Sequence, residues 1–169
     1  MSVSGSAVYW SDTSNLSVLS ALTAGGGPVT TTLTTDNWTS ALITDSRNVY
    51  WTQPDAMVPG GWLLRAAPLS GGSRITLVAS ASLDYRAGAF ATDGVSVMLS
   101  GTVDLGSATA YTIVRMPVGG GTPVTIASMS QVPNVYPVSM AVDGSSVYWS
   151  VGEGEGGKIF TAKIFSTPK

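Results

Sequence analysis

"VYWS" stands at Val8–Ser11, "VYWT" at Val49–Thr52 and "VYWS" again at Val147–Ser150. A degenerate copy, "VMLS", occupies Val97–Ser100. Successive anchor valines lie 41, 48 and 50 residues apart, inside the range of about 40–50 that propeller blades occupy. An Asp stands four residues before the anchor in three units (Asp45, Asp93, Asp143), and a glycine cluster follows further on (Gly25–Gly27, Gly71–Gly72, Gly119–Gly121). "MSVSGSAVYWS" (Met1–Ser11) aligns without a gap on "MAVDGSSVYWS" (Met140–Ser150). The chain reads as one all-β domain: a β-propeller of about four blades, each of four antiparallel strands, with blades near 1–36, 37–84, 85–136 and 137–169.

The third unit shows the strand pattern most clearly. "AGAFAT" (Ala87–Thr92) and "VSVMLS" (Val95–Ser100) flank Asp93-Gly94, and "YTIVRMPV" (Tyr111–Val118) turns through "GGGT" into "VTIAS" (Val124–Ser128). Asp-Gly and Gly-Gly supply the φ > 0 positions of tight hairpin turns. β-branched residues fill the strands, and no 3.6-residue apolar period persists, so essentially no helix is expected. A blade buries its faces only against neighbouring blades, which is why each copy repeats the same apolar letters. Alternate side chains of "VYW" face opposite sides of the sheet, Val and Trp one way and Tyr the other, and both directions lead to an inter-blade interface.

Composition removes several classes of chemistry. With no His and no Cys among 169 residues, there is no imidazole base, thiolate nucleophile or disulfide, and no zinc site of nitrogen or sulfur ligands. The many serines therefore have no catalytic partner. A net charge of -2 gives no footprint for a nucleic-acid backbone. No run approaches the roughly 18 apolar residues of a membrane span, and the first residues lack the pattern of a signal peptide. "GGGP", "GGGT" and "GEGEGG" precede no helix that could hold a phosphate. The sequons at Asn15 and Asn37 carry meaning only in a eukaryotic secretory route.

With the "D-x-x-x-VYW" pattern in view, the chain resembles bacterial propellers of that blade type, similar to the YWTD and NHL propellers; "YWSD" at Tyr9–Asp12 is one conservative step from YWTD. The resemblance covers nearly the whole chain. It implies the propeller fold and, by analogy, an extracellular or periplasmic location. Such propellers include receptor modules, scaffolds, lyases and lactonases, so it implies no single activity. They usually close rings of about six to eight blades, and this chain reads as about half of an eight-bladed ring. Three closures are open: a strained ring of four, two copies joined by two-fold symmetry, or a longer parent chain. The second and third are favoured, because an open propeller exposes an apolar blade face.

Candidate sites gather on the face where strand-two-to-three loops and inter-blade loops emerge. Asp12, Asp55, Asp104 and the pair Glu153 and Glu155 fall in the former, Asp36 and Asp84 in the latter. Such a mouth suits a divalent cation such as Ca²⁺, a cationic peptide or sugar hydroxyls, although no loop carries a local calcium spacing and no cofactor is expected. Trp38, Tyr85 and Tyr136, with Trp62 capping the same face, suit stacking on a sugar or a peptide side chain beside polar neighbours such as "TDNWTS" (Thr35–Ser40). The expectation is a non-catalytic binding or assembly module that recognises a peptide or glycan through this face or self-associates through its blade edges. The alternative is a Ca-dependent hydrolase or lactonase with carboxylates at the channel mouth.

Overall fold

The computed structural model describes residues 1–80, 83–84, 89–104, 109–130, 135–155 and 158–169. At 80, 83–84, 102–104, 109, 130, 135–136, 153–155 and 158–162 only the backbone is described. All regular structure among these residues is β. Blade 1 comprises β1 (Ser2–Ser4), β2 (Ala7–Asp12), β3 (Ser17–Leu22) and β4 (Thr30–Thr34). Blade 2 comprises β5 (Leu42–Thr44), β6 (Asn48–Pro54), β7 (Trp62–Pro68) and β8 (Ile75–Ser80). Then come the short β9 (Leu83–Asp84) and blade 3, formed by β10 (Phe90–Thr92), β11 (Ser96–Asp104), β12 (Thr109–Pro117) and β13 (Val124–Ser130); β9 adds to β11. Blade 4 has three strands, β14 (Val135–Val142), β15 (Ser146–Glu155) and β16 (Lys158–Pro168), one fewer than the repeat suggests. Each sheet is an antiparallel meander, and the innermost strands pack side by side in the order β1, β5, β10, β14. This is a four-bladed β-propeller.

Turn chemistry explains why the chain reverses where it does. In blades 2, 3 and 4 the conserved-in-phase Asp uses one carboxylate oxygen to accept two main-chain N–H groups: Arg47 and Asn48 on Asp45, Val95 and Ser96 on Asp93, Ser145 and Ser146 on Asp143. The side chain takes the place of a carbonyl in closing the turn. At the third turn Gly71 and Gly72 have φ of 86° and 136°, and Gly120 and Gly121 have 84° and 133°, values that a residue with a Cβ rarely adopts. A β-bulge recurs at one place in the outer half of blades 1 to 3, after Val18, Leu64 and Ile113.

The faces of the sheets follow the alternation. Val49 and Trp51 join Val18, Leu42 and Ala67 in a core between blades 1 and 2, with Tyr9 packed against it. Tyr50 points the other way and joins Leu64, Val97, Leu99 and Met116 between blades 2 and 3. Met98 and Ile113 meet Val147, Trp149 and Val151 between blades 3 and 4. The rule at each junction is the same: the Tyr-side face of one blade receives the Val/Trp-side face of the next. Buried indole N–H groups are satisfied locally, Trp51 on Gln53 Oε1 at 2.8 Å and Trp149 on Met129 Sδ at 3.4 Å.

In blades 2 and 3 both directions of the repeat do reach an interface, but among the described residues no core cluster joins blade 4 to blade 1. The Val8/Trp10 face of blade 1 and the Tyr148 face of blade 4 lack the neighbour that the other faces have.

Candidate functional site

At the loop end of the propeller, the segment 35–41 between β4 and β5 is pinned from both sides. Thr35 N donates to Leu16 O at 2.6 Å, and Ser40 N donates to Thr52 O at 2.9 Å. Within it, Trp38 N donates to Asn37 Oδ1. These bonds hold the Trp38 ring edge-on to Trp62, with centroids 5.3 Å apart and planes at 82°. Trp38 keeps 40% of its surface exposed, whereas Trp62 is buried in the core between blades 2 and 3. Trp62, the first residue of β7, is thus a floor beneath Trp38 and has almost no surface to offer a ligand. The hydroxyls of Thr39 and Thr52 lie buried close by without a hydrogen-bond partner.

Among the described side chains, the acidic groups Asp12, Asp36 and Asp55 each have local partners. Asp12 closes β2 and accepts the N–H groups of Ser14 and Asn15 and the Asn15 side-chain amide. That amide and those N–H groups hold its carboxyl below the usual value. Asp55 accepts Met57 N at 2.8 Å. Asp36 is paired with two guanidinium groups, Arg65 at 2.8 Å and Arg74 at 2.7 Å. Arg65 also donates to Thr76, and Arg74 to Thr34 O. This cluster ties the outer strands of blades 1 and 2 together across an open groove of about 560 Å³, and it leaves Asp36 no part in an acidic mouth. Among the described residues no group of three or more acidic side chains could hold a metal ion.

Several residues expected in loops stand in strands. Asp84 is in β9 opposite Thr102, and Asp104 ends β11 opposite Thr109. Tyr136 lies in β14 opposite Gly152, and Glu153 and Glu155 lie in β15 opposite Thr161 and Lys158. The hairpin arms are longer than strand propensity suggests, because pairing continues through Gly101–Asp104 in blade 3 and through "VGEGE" in blade 4. Tyr85 lies outside the described residues, as do the side chains of Asp84, Asp104, Tyr136, Glu153 and Glu155.

The two end faces carry the larger departure from ordinary packing. Val18, Leu64, Ile113 and Ile164 occupy the same place in the third strand of blades 1 to 4, opposite Ser11, Thr52, Ser100 and Ser150. The first three are 0% exposed, and Ile164 is 80% exposed. Tyr50 is 0% exposed where Tyr148 is 37% exposed. Ser139, Ala141, Tyr148, Ser150 and Ile164 line a shallow hollow of about 180 Å³ on the blade 4 face. On blade 1, Val3, Val8, Trp10, Leu19 and Ala21 share the free side of the sheet through cross-strand pairing. Val3 is exposed and the other four are only partly buried.

Below the hollow, the Tyr148 hydroxyl donates to Asp143 Oδ2 at 2.9 Å. The N–H groups of Ser145 and Ser146, then this hydroxyl, hold the Asp143 carboxyl down at about 2. The same bond joins Tyr50 to Asp45 at 2.7 Å, where burial first and the carboxylate second push the phenol well up. Blade 3 has Met98 in place of the tyrosine, and the oxygen of Asp93 left over by that change takes the Lys169 ammonium at 2.7 Å. Burial pushes the Asp93 carboxyl up, but Lys169 and the N–H groups of Ser96 and Val95 outweigh it, and the net shift is downward.

No protein-family model and no curated protein matches the chain. The functional reading therefore stands on the repeat and its geometry.

Proposed function

We propose that this chain is a non-catalytic binding or assembly module that acts by association through the faces of its end blades. The observation that carries this reading is Ile164, 80% exposed at a position that is fully buried in the three other blades. Apolar surface of this kind is worth roughly 25 cal/mol per Å² when removed from water, and a contiguous patch of it marks an interaction site. The carboxylates at Asp12, Asp36 and Asp55 are taken up by turns and by arginines, and the chain has no His or Cys.

The test is sedimentation velocity of the wild-type chain across a hundredfold concentration range, beside Tyr148→Asp/Ile164→Asp. Association that the double variant abolishes, with its circular dichroism unchanged, supports the reading. A wild-type chain that stays at 17.3 kDa throughout contradicts it.

Recognition of a peptide or glycan at the loop end is a second reading, favoured by Trp38. A rigid, half-exposed indole held edge-on over a buried one is a stacking platform. Quenching or a blue shift of tryptophan emission by a glycan or peptide panel, lost in Trp38→Ala, supports it; no response to the panel removes it.

A further inference from the structure

We infer that the occupant of each free end face is a second copy of this chain, the blade 4 face of one copy seating on the blade 1 face of the other, twice, about a two-fold axis. The inference rests on the association reading above and names its partner.

The molecule contains its own template for that contact. Blade 1 packs on blade 2 through a face made of Ser2, Tyr9, Ser11, Val18 and Ser20. The free face of blade 4 has, at the matching register positions, Ala141, Tyr148, Ser150, Ile164 and Ser166. Tyrosine stands for tyrosine, serine for serine twice, and Ile164 for the fully buried Val18. What blade 1's face receives is Val49 and Trp51 of blade 2. Those two letters recur as Val8 and Trp10 on the free face of blade 1. The two open faces of one molecule are therefore the two halves of a junction the same chain already makes. One half is a shallow hollow and the other is partly exposed Val and Trp.

The contact is head-to-tail, so it closes only if the rotation completes a ring; otherwise it propagates. Propellers close with about 4–8 blades. Two of these four-blade segments together make eight, inside that range. Closure within one copy would bring Ile164 against its own Val8 and Trp10, yet Ile164 is the most exposed of the four matched residues. Two copies remain.

The template also places a probe. At the junction of blades 1 and 2 the hydroxyls of Ser2 and Thr44 lie 2.8 Å apart. Ala141 occupies the Ser2 position, opposite its tyrosine, and Val3 the Thr44 position, opposite its valine. Both are exposed, and the chain has no cysteine of its own. Val3→Cys and Ala141→Cys are made separately, mixed and oxidised mildly, and the double variant is oxidised alone. The expected result is a disulfide between copies in the mixture, absent from either variant alone, and an intermolecular link in the double variant. An intramolecular disulfide in the double variant would mean a ring of four closed on itself and would overturn the inference. So would a wild-type chain that associates, by sedimentation, while the mixed cysteines stay unlinked: association would stand and the second-copy geometry would fall. A wild-type chain that does not associate at all overturns the association reading and this inference with it.

Discussion

Tyr50 and Tyr148 sit in the same four-letter motif, at the same register opposite the preceding strand, with the same hydroxyl bond to the Asp five residues earlier. One is sealed between two blades and the other is open on a hollow. Leu64 and Ile164 repeat the contrast one strand further out. The local sequence decides which way a side chain points; whether that direction is buried depends on the next blade. A repeat protein therefore carries identical apolar residues whose energetic worth differs by position in the array.

That contrast can be broken most decisively in the core. Trp51→Ala and Tyr50→Ala are each expected to cost about 3–5 kcal/mol, as large buried aromatics do, and Tyr148→Ala in the dilute chain less than about 1 kcal/mol, measured by urea unfolding. Equal costs at Tyr50 and Tyr148 would erase the distinction between inner and end blades. Leu64→Ala is expected to cost about 2–5 kcal/mol and Ile164→Ala within about 0.5 kcal/mol, again in dilute solution. Any larger penalty for Ile164→Ala should grow with protein concentration, since binding partners stabilise by mass action.

Smaller effects sharpen the comparison of turns. Lys169→Met removes the ammonium that occupies the spare oxygen of Asp93 in the one blade without the tyrosine. The expected loss is about 0.2–1 kcal/mol, the range of surface ion pairs. In the Met98→Tyr background a new phenol competes for that oxygen, so the same substitution should cost less.

The pH response follows from the depressed carboxylates. A group whose folded value lies below its unfolded one contributes stability above the unfolded value and loses it as pH falls. For Asp143 that window runs from its ordinary 3.8 down to about 2, and the contribution of the Asp93 pair is likewise lost as pH falls below the ordinary carboxylate value. Carboxyl NMR of Asp143 should show the low midpoint, and Tyr148→Phe should move it upward by removing one donor. A midpoint unchanged by Tyr148→Phe would mean that the hydroxyl bond does not form in solution.

The fold was largely legible from the letters. The period of the anchors, the Asp at fixed offset and the double glycines specify blades and turns, and the structure places β5 to β8 and β10 to β13 where they imply. The loop end was less legible. "VGEGE" has the composition of a loop, yet hairpin pairing with β16 makes it a strand, and strand propensity is weaker than such pairing. Asp36 reads as an acidic loop residue, but its two arginines come from 29 and 38 positions further along the chain. The signal that could have found them is Arg65 itself, a lone charge inside the apolar run "WLLRAAP" that must reach a partner. Trp62 and Trp38 could not be ranked from sequence, because which indole lies beneath the other depends on how 35–41 is tied to β6.

The most direct measurement is oxidative footprinting of Tyr50 and Tyr148 in the wild-type chain and in Ile164→Asp, at a concentration where the wild type is associated. Tyr50 is expected to be protected in both, and Tyr148 protected in the wild type and modified in the variant. Tyr148 modified to the same extent in both would show that the blade 4 face stays open, and would contradict the claim that the two end faces are halves of one interface.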